Sequence, residues 1–171
     1  GQDFLKKAAE KANAVIAKAE KIEEKPSVLW FNSSKAPWSI KTELDSVGDM
    51  LRALGAKQLS PEADGKNAVS VQSEQFLTYL AEADRIIYGN SLTYVSNWGD
   101  KTDITVYNGG GIDFSNAKAY QSGDVYVVGY DWAQDTANVG DIMESLAKAL
   151  YPEEFQDVEN PGKIIAFKKP A

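Results

Sequence analysis

Three short hydrophobic runs, separated by segments of helical periodicity, constrain the fold of this chain more than any other feature. Residues 27–31 read Ser-Val-Leu-Trp-Phe, residues 84–88 read Asp-Arg-Ile-Ile-Tyr, and residues 125–128 read Val-Tyr-Val-Val. A continuous apolar run of this length is typical of a strand that is buried on both faces of a parallel sheet. Because helical segments lie between the runs, the pattern predicts βαβ units with right-handed crossovers.

A long helix is predicted ahead of these units. The segment from Asp3 to Glu24 is rich in Ala, Lys and Glu and contains neither Gly nor Pro, while Pro26 ends it. Its apolar residues follow a three-to-four spacing: Phe4, Leu5, Ala8, Ala12, Val15, Ile16, Ala19 and Ile22. One stripe of this helix must therefore pack against another element.

Two helices are predicted between the first two runs. The first spans Thr42 to Leu54, and Gly55 suits the left-handed position after its end. Its inner face is formed by apolar side chains at helical spacing: Leu44, Val47, Met50, Leu51 and Leu54. The second spans Gln75 to Ala81, carries Phe76, Leu77 and Leu80, has Ser73 as its N-cap and follows a short strand at residues 68–71.

The C-terminal part of the chain continues the same alternation. A helical turn is predicted at residues 114–120, a helix at 139–150, and a short helix or edge strand at 163–167. Residues 92–118 read less clearly, with 92–98 as a helix and 104–107 as a strand or extended loop. The whole pattern predicts an α/β fold: a Rossmann-like three-layer lobe with a mainly parallel central sheet, preceded by a long α-helix.

Charge and composition exclude several classes of function. A formal net charge of −7 opposes binding to nucleic acid or to an anionic membrane surface. The chain has no Cys and no His, which excludes a cysteine nucleophile, thiolate zinc sites, serine-histidine triads and ordinary catalytic zinc sites. Direct metal binding would then need carboxylate or tyrosinate oxygen, and we predict no catalytic residue, no cofactor and no metal site.

Ligand-binding residues are expected where the parallel strands end, because ligands of open α/β sheets bind beyond the carboxyl ends of the strands. The corresponding loops are residues 32–38, 89–94 and 129–132. Their aromatic, hydroxyl, amide and carboxylate groups suit a large, flat, partly polar ligand. The candidates are Ser33, Ser34, Trp38, Asn90, Ser91, Tyr94, Tyr130, Asp131 and Trp132. An equally good reading of Trp38 and Trp132 is that they pack the edge of the domain.

Other chemical groups have simpler explanations. Asp84 and Glu74 resemble a carboxylate pair, but a strand start and a first helical turn favour structural roles. The glycines at 109–111 lack the rest of a phosphate-binding motif and indicate a turn. A tyrosinate ligand for ferric iron is conceivable among Tyr88, Tyr94, Tyr107 and Tyr130, yet their spacing selects none of them.

Five motifs, in order, resemble one protein family. They are Lys25–Phe31 after a long helix, Leu51–Ala56, Val71–Leu77 with Ala83–Tyr88, Lys118–Val128, and Leu150–Phe155. The order is similar to the C-terminal half of the solute-binding proteins that capture ferric siderophores, haem and vitamin B12 for ABC importers. The chain departs from the family at Ala83, where proline is frequent, and at Tyr151, where histidine is frequent.

The resemblance implies a non-enzymatic transport role. Residues 1–25 would be the helix that connects two lobes, and residues 26–171 the C-terminal lobe, with the N-terminal lobe absent from this sequence. The lobe would supply half of a cleft for an iron complex or corrinoid. An acidic residue, Glu43 or Asp45, would dock to arginines of the permease, although the helix dipole alone explains both carboxylates. The location would be extracytoplasmic, as a periplasmic protein or a cell-surface lipoprotein, with membrane contact only through a lipid anchor or the permease.

Two other interpretations remain open at this point. The first is an unrelated doubly wound α/β enzyme or nucleotide-binding domain, in which carboxylates such as Asp131 would perform acid/base chemistry. The second is a stand-alone interaction domain that dimerises through the apolar stripe of its first helix, which is also compatible with a single lobe.

Overall fold

The structure is a computed structural model, and it describes residues 2–33, 36–91, 114, 116–128 and 138–166. Of residues 2–5, 90 and 91 it describes the backbone only. The helices are α1 Gln2–Glu20, α2 Ser46–Ala53, α3 Ser73–Glu82, α4 Lys118–Ser122 and α5 Val139–Leu150. The strands are β1 Ser27–Phe31, β2 Trp38–Lys41, β3 Lys57–Gln58, β4 Ala68–Val71, β5 Arg85–Ser91, β6 Val125–Val128 and β7 Ile164–Ala166.

The strands form one mixed sheet with the order β4-β2-β1-β5-β6-β7, and β3 pairs with the first residues of β1. The three hydrophobic runs of the sequence become its central strands, because β1, β5 and β6 are neighbours and run parallel. β2 and β7 are antiparallel to their central neighbours, while β4 is antiparallel to β2 and so runs in the direction of β1. The predicted α/β fold with a mainly parallel sheet is confirmed.

Helices cover both faces of this sheet and give three layers. Leu29 and Phe31 of β1 face a core that includes Phe76 of α3, and Val28 and Trp30 face the opposite core. This alternation follows from the two-residue period of a strand. The second core is formed with α1, α2 and α5. Both faces of the central strands are therefore dry, which is why their sequences are continuously apolar.

Helix α1 packs along α5. Its side chains Ala8, Ala12, Val15 and Ala19 are buried. The backbones come very close at Gly140, where an added Cβ would lie 2.8 Å from the Ala8 carbonyl oxygen. The apolar stripe of α1 is therefore covered, from Ala8 to Ala19, by this chain itself.

The end of α1 corrects the prediction. The helix ends at Glu20, four residues before the expected Glu24, and its last turn tightens as the Ile22 amide donates to the Ala19 carbonyl at 3.0 Å. The ammonium of Lys25 also donates to the Ala19 carbonyl at 2.6 Å. Because two donors already bind this terminal carbonyl, it does not accept the hydrogen bond that a further helical turn would make. Pro26 also disfavours the helical conformation in the residue before it.

The segment after β1 is also different from the prediction. Trp38 to Lys41 form a strand that returns antiparallel to β1, and helix α2 begins only at Ser46. Asp45 is its N-cap and accepts the Val47 amide at 3.0 Å, so the helix cannot start at Thr42. Leu44, predicted on the inner face of this helix, is 52% exposed.

The strand at 68–71 and the helix at 139–150 are confirmed, and residues 164–166 form an edge strand, one of the two alternatives. Gly55 has the expected left-handed backbone, with φ of +78°. Ser73 is the first residue of α3 rather than its N-cap, which is Gln72. The predicted turn at 114–120 corresponds to α4, which starts at Lys118. The elements predicted at 92–98 and 104–107 lie outside the described residues.

Candidate functional site at the carboxyl edge

The parallel strands β1, β5 and β6 bring their carboxyl ends to one side of the sheet. Phe31 pairs with Tyr88, and Tyr88 pairs with Val127, so the residues that follow β1 lie beside the end of β5. We call Asn32, Ser33 and residues 89–91 the carboxyl edge. Two of the three loops predicted to hold the ligand begin here.

A bulge interrupts β5 at this edge. Tyr88 pairs with Val127 but Ser91 pairs with Val128, so Gly89 and Asn90 are extra residues on β5. Bulges bend a strand and re-aim its side chains, and they are frequent next to functional sites. The bulge therefore distinguishes the end of β5 from the regular pairing of its first half.

Gly89 lies directly under two polar side-chain atoms. A Cβ added to it would be 2.1 Å from Asn32 Oδ1 and 2.5 Å from Trp30 Nε1. Only a residue without a side chain permits this approach, and glycine within a strand often marks such a contact. The sequence places Asn32 and Gly89 in the predicted ligand loops, but neither was selected as a site residue. A glycine directly after an apolar strand run is a general sign of a close approach and does not name the partner.

The carboxamide oxygen of Asn32 is buried, and no described residue donates a hydrogen bond to it. A buried acceptor without a donor costs about 1–3 kcal/mol of stability. Among the described residues it is the only buried side-chain oxygen or nitrogen atom in this condition.

Ser33 closes the connection between β1 and β2. Its Oγ accepts the Ser39 amide at 2.8 Å, and the Asn32 amide donates to the Ser39 carbonyl at 2.9 Å. The hydroxyl of Ser33 still has a proton to donate, so this serine combines a fixed position with a remaining hydrogen-bonding capacity.

Trp38 lies in the core rather than on a surface. Its side chain is fully buried, stacks on Phe76 with ring centroids 4.4 Å apart and meets the edge of Phe31 at 6.0 Å. The indole nitrogen donates to Ser73 Oγ at 3.2 Å. This geometry agrees with the packing alternative for Trp38.

The other predicted ligand residues are described partly or not at all. The side chains of Asn90 and Ser91 are outside the description, although their backbone belongs to β5. Ser34, Tyr94, Tyr130, Asp131 and Trp132 lie outside the described residues altogether. Their ligand-binding role stays a prediction.

Glu43 and Asp45 differ in the availability of their carboxylates. Asp45 caps α2 and forms an ion pair with Lys41 at 3.1 Å. Glu43 is exposed, and its backbone is held against Gly48, where an added Cβ would lie 2.7 Å from Glu43 Cα. Because β2 runs back from the carboxyl edge, both acidic residues lie beyond the far end of that strand.

The opposite side of the sheet, the amino edge, holds the other carboxylate that sequence analysis considered. Asp84 Oδ2 accepts the Ser27 amide at 2.9 Å, and Oδ1 pairs with Lys118 at 2.9 Å. Burial raises the pKa of Asp84, but the hydrogen bonds from Ser27 and the charge of Lys118 outweigh it, so the pKa is lowered overall. Asp84 thus ties β1, β5 and α4 together. Glu74, in contrast, is exposed in the first turn of α3.

Arg85 joins the amino edge to the end of α5. Its guanidinium donates to the carbonyls of Ala149 and Leu150, each at 3.1 Å, and pairs with Asp124 at 3.3 Å. The terminal carbonyls of a helix lack partners within the helix, and a cation is favourable there. Arg85 is therefore a structural residue of this edge.

No group of three or more carboxylates is placed to hold a metal ion in the described ranges. None of the helices in those ranges is long and apolar enough to span a membrane.

Solved structures share this fold. No protein-family model matches the chain, and the comparison with curated proteins gave no match. The TroA-like periplasmic binding protein FepB from Veillonella parvula matches with a TM-score of 0.74 and 21% identity, over 93% of this chain and 49% of that one. The heme-binding protein RhuT from Roseiflexus sp. RS-1 matches with a TM-score of 0.67 and 14% identity, over 90% and 56%. A siderophore periplasmic binding protein from Thermobifida fusca matches with a TM-score of 0.63 and 16% identity, over 88% and 54%.

These matches define the class of fold. The chain folds like periplasmic binding proteins, as the ordered motifs of the sequence predicted. It spans about half the length of the structures it matches, between 49% and 56% for these three.

Proposed function

We propose that this chain is one lobe of the substrate-binding component of an ABC importer, and that its ligand is an iron complex or a corrinoid. The observation that carries the proposal is the structural likeness to FepB, RhuT and the T. fusca protein, which extends over at least 88% of the chain. RhuT is named as a heme-binding protein, and the T. fusca protein is named as a siderophore binding protein. The role is binding and delivery, without chemical turnover of the ligand.

The lobe would contribute the carboxyl edge to a cleft whose other wall is a second lobe. This assignment is supported by the position of Asn32, Ser33 and the β5 bulge at the end of the parallel strands, where α/β sheets bind ligands. The lobe corresponds to residues 26–171 in this proposal, and residues 1–25 with α1 form the connection to the N-terminal lobe.

Docking to the permease is assigned to Glu43 in preference to Asp45. The carboxylate of Asp45 is already engaged by the α2 amide and by Lys41. Glu43 is exposed on a turn in which the Asp45 amide donates to the Thr42 carbonyl at 3.1 Å. A fixed backbone with a solvent-facing carboxylate suits an arginine of a partner. The protein would act outside the cytoplasm, in the periplasm or as a lipid-anchored protein on the cell surface.

A direct test combines the gene with binding measurements. The DNA upstream of the codon for Gln2 is read for an in-frame second lobe and a lipoprotein signal. The two-lobe protein and the present chain are then titrated with haemin, ferrioxamine B and cyanocobalamin by calorimetry and absorption spectroscopy. We expect the two-lobe protein to bind one of these ligands, and the single lobe to bind it about a hundredfold more weakly because half of the contacts are missing.

Two outcomes would contradict the proposal. One is a native start codon immediately before Gln2 together with no binding of any of the three ligands. The other is turnover of a ligand, seen as a product that accumulates with time. A Glu43→Gln variant, with Glu62→Gln as its matched control on the same acidic surface, separates ligand binding from permease docking. Only the Glu43 variant should lower transport in reconstituted vesicles, with ligand affinity unchanged.

Dimerisation through α1 has less support. The stripe from Ala8 to Ala19 is buried on α5, so the described part of the helix offers little apolar surface to a second copy. A concentration-dependent sedimentation coefficient would revive that alternative.

A further inference from the structure

The carboxamide oxygen of Asn32 is an acceptor that the fold leaves without a donor in the residues that the structure describes. Buried polar atoms of native proteins are nearly always hydrogen-bonded, and an exception calls for a physical reason. The usual reasons are a bound water, a ligand or a functional role.

The fold itself does not need this amide group. The connection from β1 to β2 is closed by the backbone of Asn32 and by Ser33, which bond to the two sides of Ser39. The side chain of Asn32 takes no part in that closure. An apolar residue of similar size would satisfy the same backbone geometry.

The surrounding backbone nevertheless accommodates the amide closely. Gly89 leaves the space that the oxygen occupies, since a Cβ there would lie only 2.1 Å from it. Gly89 is also part of the bulge between the pairs Tyr88–Val127 and Ser91–Val128. The glycine and the bulge are two separate irregularities of β5, and both lie next to the carboxamide of Asn32.

The oxygen can reach the surface with little rearrangement. Asn32 as a residue is partly exposed, although its Oδ1 atom is buried. The last torsion of an asparagine side chain is broad, and no hydrogen bond from a described residue holds this oxygen in place. A turn of the amide therefore presents the oxygen at the carboxyl edge.

We propose that Asn32 contacts the ligand and that its oxygen accepts a hydrogen bond from an N–H or O–H group of that ligand. This inference rests on the proposed binding function and narrows its substrate class. The oxygen of Asn32 can only accept, as can the ionised propionates of haem, so a propionate could pair only with the NH2 group of the same carboxamide. Because the atom without a donor is the oxygen, the site favours a ligand that donates, such as a chelate or corrinoid with amide N–H groups.

The test compares Asn32→Leu with the wild type in the longest form that the gene encodes. Ferrioxamine B and cyanocobalamin serve as probes with amide N–H groups, and haemin serves as the probe without them. We expect Asn32→Leu to weaken binding of an amide-bearing probe about tenfold, the loss typical of one well-placed hydrogen bond. Haemin affinity should change less than about twofold.

Two further variants extend the test, one as a surface control and one as a second disruption of the same contact. Asn13→Leu introduces the same change on the exposed side of α1 and should leave every affinity unchanged. Gly89→Ala pushes the amide away and should weaken binding as Asn32→Leu does. The double variant should lose less affinity than the sum of the two single losses, since substitutions at residues in contact are not additive.

The outcomes separate the inference from the proposed function. If the wild type binds no probe, the proposed function fails and the inference fails with it. If the wild type binds only haemin, or binds an amide-bearing probe as tightly as Asn32→Leu does, the inference is wrong and the binding function stands. A lower urea midpoint for Asn32→Leu would show that the oxygen has a donor within the fold, which also overturns the inference.

Discussion

The two edges of the central sheet differ in how completely their polar groups are satisfied. At the amino edge, Asp84 binds Ser27 and Lys118, and Arg85 binds the last carbonyls of α5. At the carboxyl edge, β5 bulges and the oxygen of Asn32 has no donor among the described residues. The amino edge is organised for stability, and the carboxyl edge retains features that reduce stability.

This difference is typical of a domain that binds something at one end. Natural sequences depart from locally optimal structure mainly at functional sites, where the cost is offset elsewhere in the fold. We expect the network around Arg85 and the aromatic core around Phe31 to supply the stability that offsets this cost. The comparison therefore predicts that substitutions at the amino edge and in the core change folding stability, whereas substitutions at Asn32 change binding.

The largest effect is expected for Trp38→Ala. Trp38 lies beside the carboxyl edge but is fully buried against Phe76 and Phe31, so its loss leaves a large cavity. The free energy of unfolding should fall by about 4 kcal/mol. Urea denaturation followed by circular dichroism measures it. A fall below about 1 kcal/mol, with ligand affinity lost, would make Trp38 a residue of the binding surface instead.

A smaller effect is expected for Arg85→Met. The guanidinium is mostly buried, and its loss leaves the carbonyls of Ala149 and Leu150 without their donor and Asp124 without its cation. We expect the free energy of unfolding to fall by about 3 kcal/mol, with ligand affinity unchanged. The matched control is Arg52→Met, because Arg52 pairs with Asp49 on the exposed side of α2 and should contribute less than about 0.5 kcal/mol. If both substitutions lowered the free energy of unfolding equally, the amino edge would be no more stabilising than the exposed surface of α2.

The smallest effect concerns alkaline pH. Burial, helped by the charge of Asp124, raises the pKa of Tyr126 from 10.0 to about 12. The neutral phenol is favoured in the folded state, so its contribution to stability is complete below pH 10 and is lost as the pH rises to about 12. Tyr126→Phe should therefore reduce the loss of stability over this interval. Parallel urea titrations at pH 9 and 11 measure the difference, and identical pH slopes for both proteins would contradict it.

Much of the fold follows from the sequence because local pattern and tertiary context agree there. Residues 28–31, 86–88 and 125–128 are apolar at every position, as two covered faces require, and they lie in the central strands. The strand at 38–41 was not predicted. Its residues Trp38, Ser39, Ile40 and Lys41 do alternate between apolar and polar, but four residues are too few for this alternation to identify a strand. The pairing with β1 and β4 is set by the tertiary fold.

The candidate site was only partly predictable for a similar reason. Topology alone located the carboxyl edge, because parallel strands must end on the same side. The contact between Asn32 and Gly89 joins residues 57 positions apart in the sequence, and it depends on the register of β1 with β5 and on the bulge. A single sequence contains no direct signal for such a register.

The close approach of α1 to Gly140 bears on where this chain can be divided. Ala8 and Gly140 leave no room for a larger side chain between the two helices, and Lys11 adds ion pairs to Asp141 and Glu144 across the same contact. Helix α1 is thus part of the same folding unit as the sheet and α5. A shortened version that begins at Pro26 would uncover the surface of α5 and invite aggregation, so any useful excision has to retain the residues from before Ala8 onward.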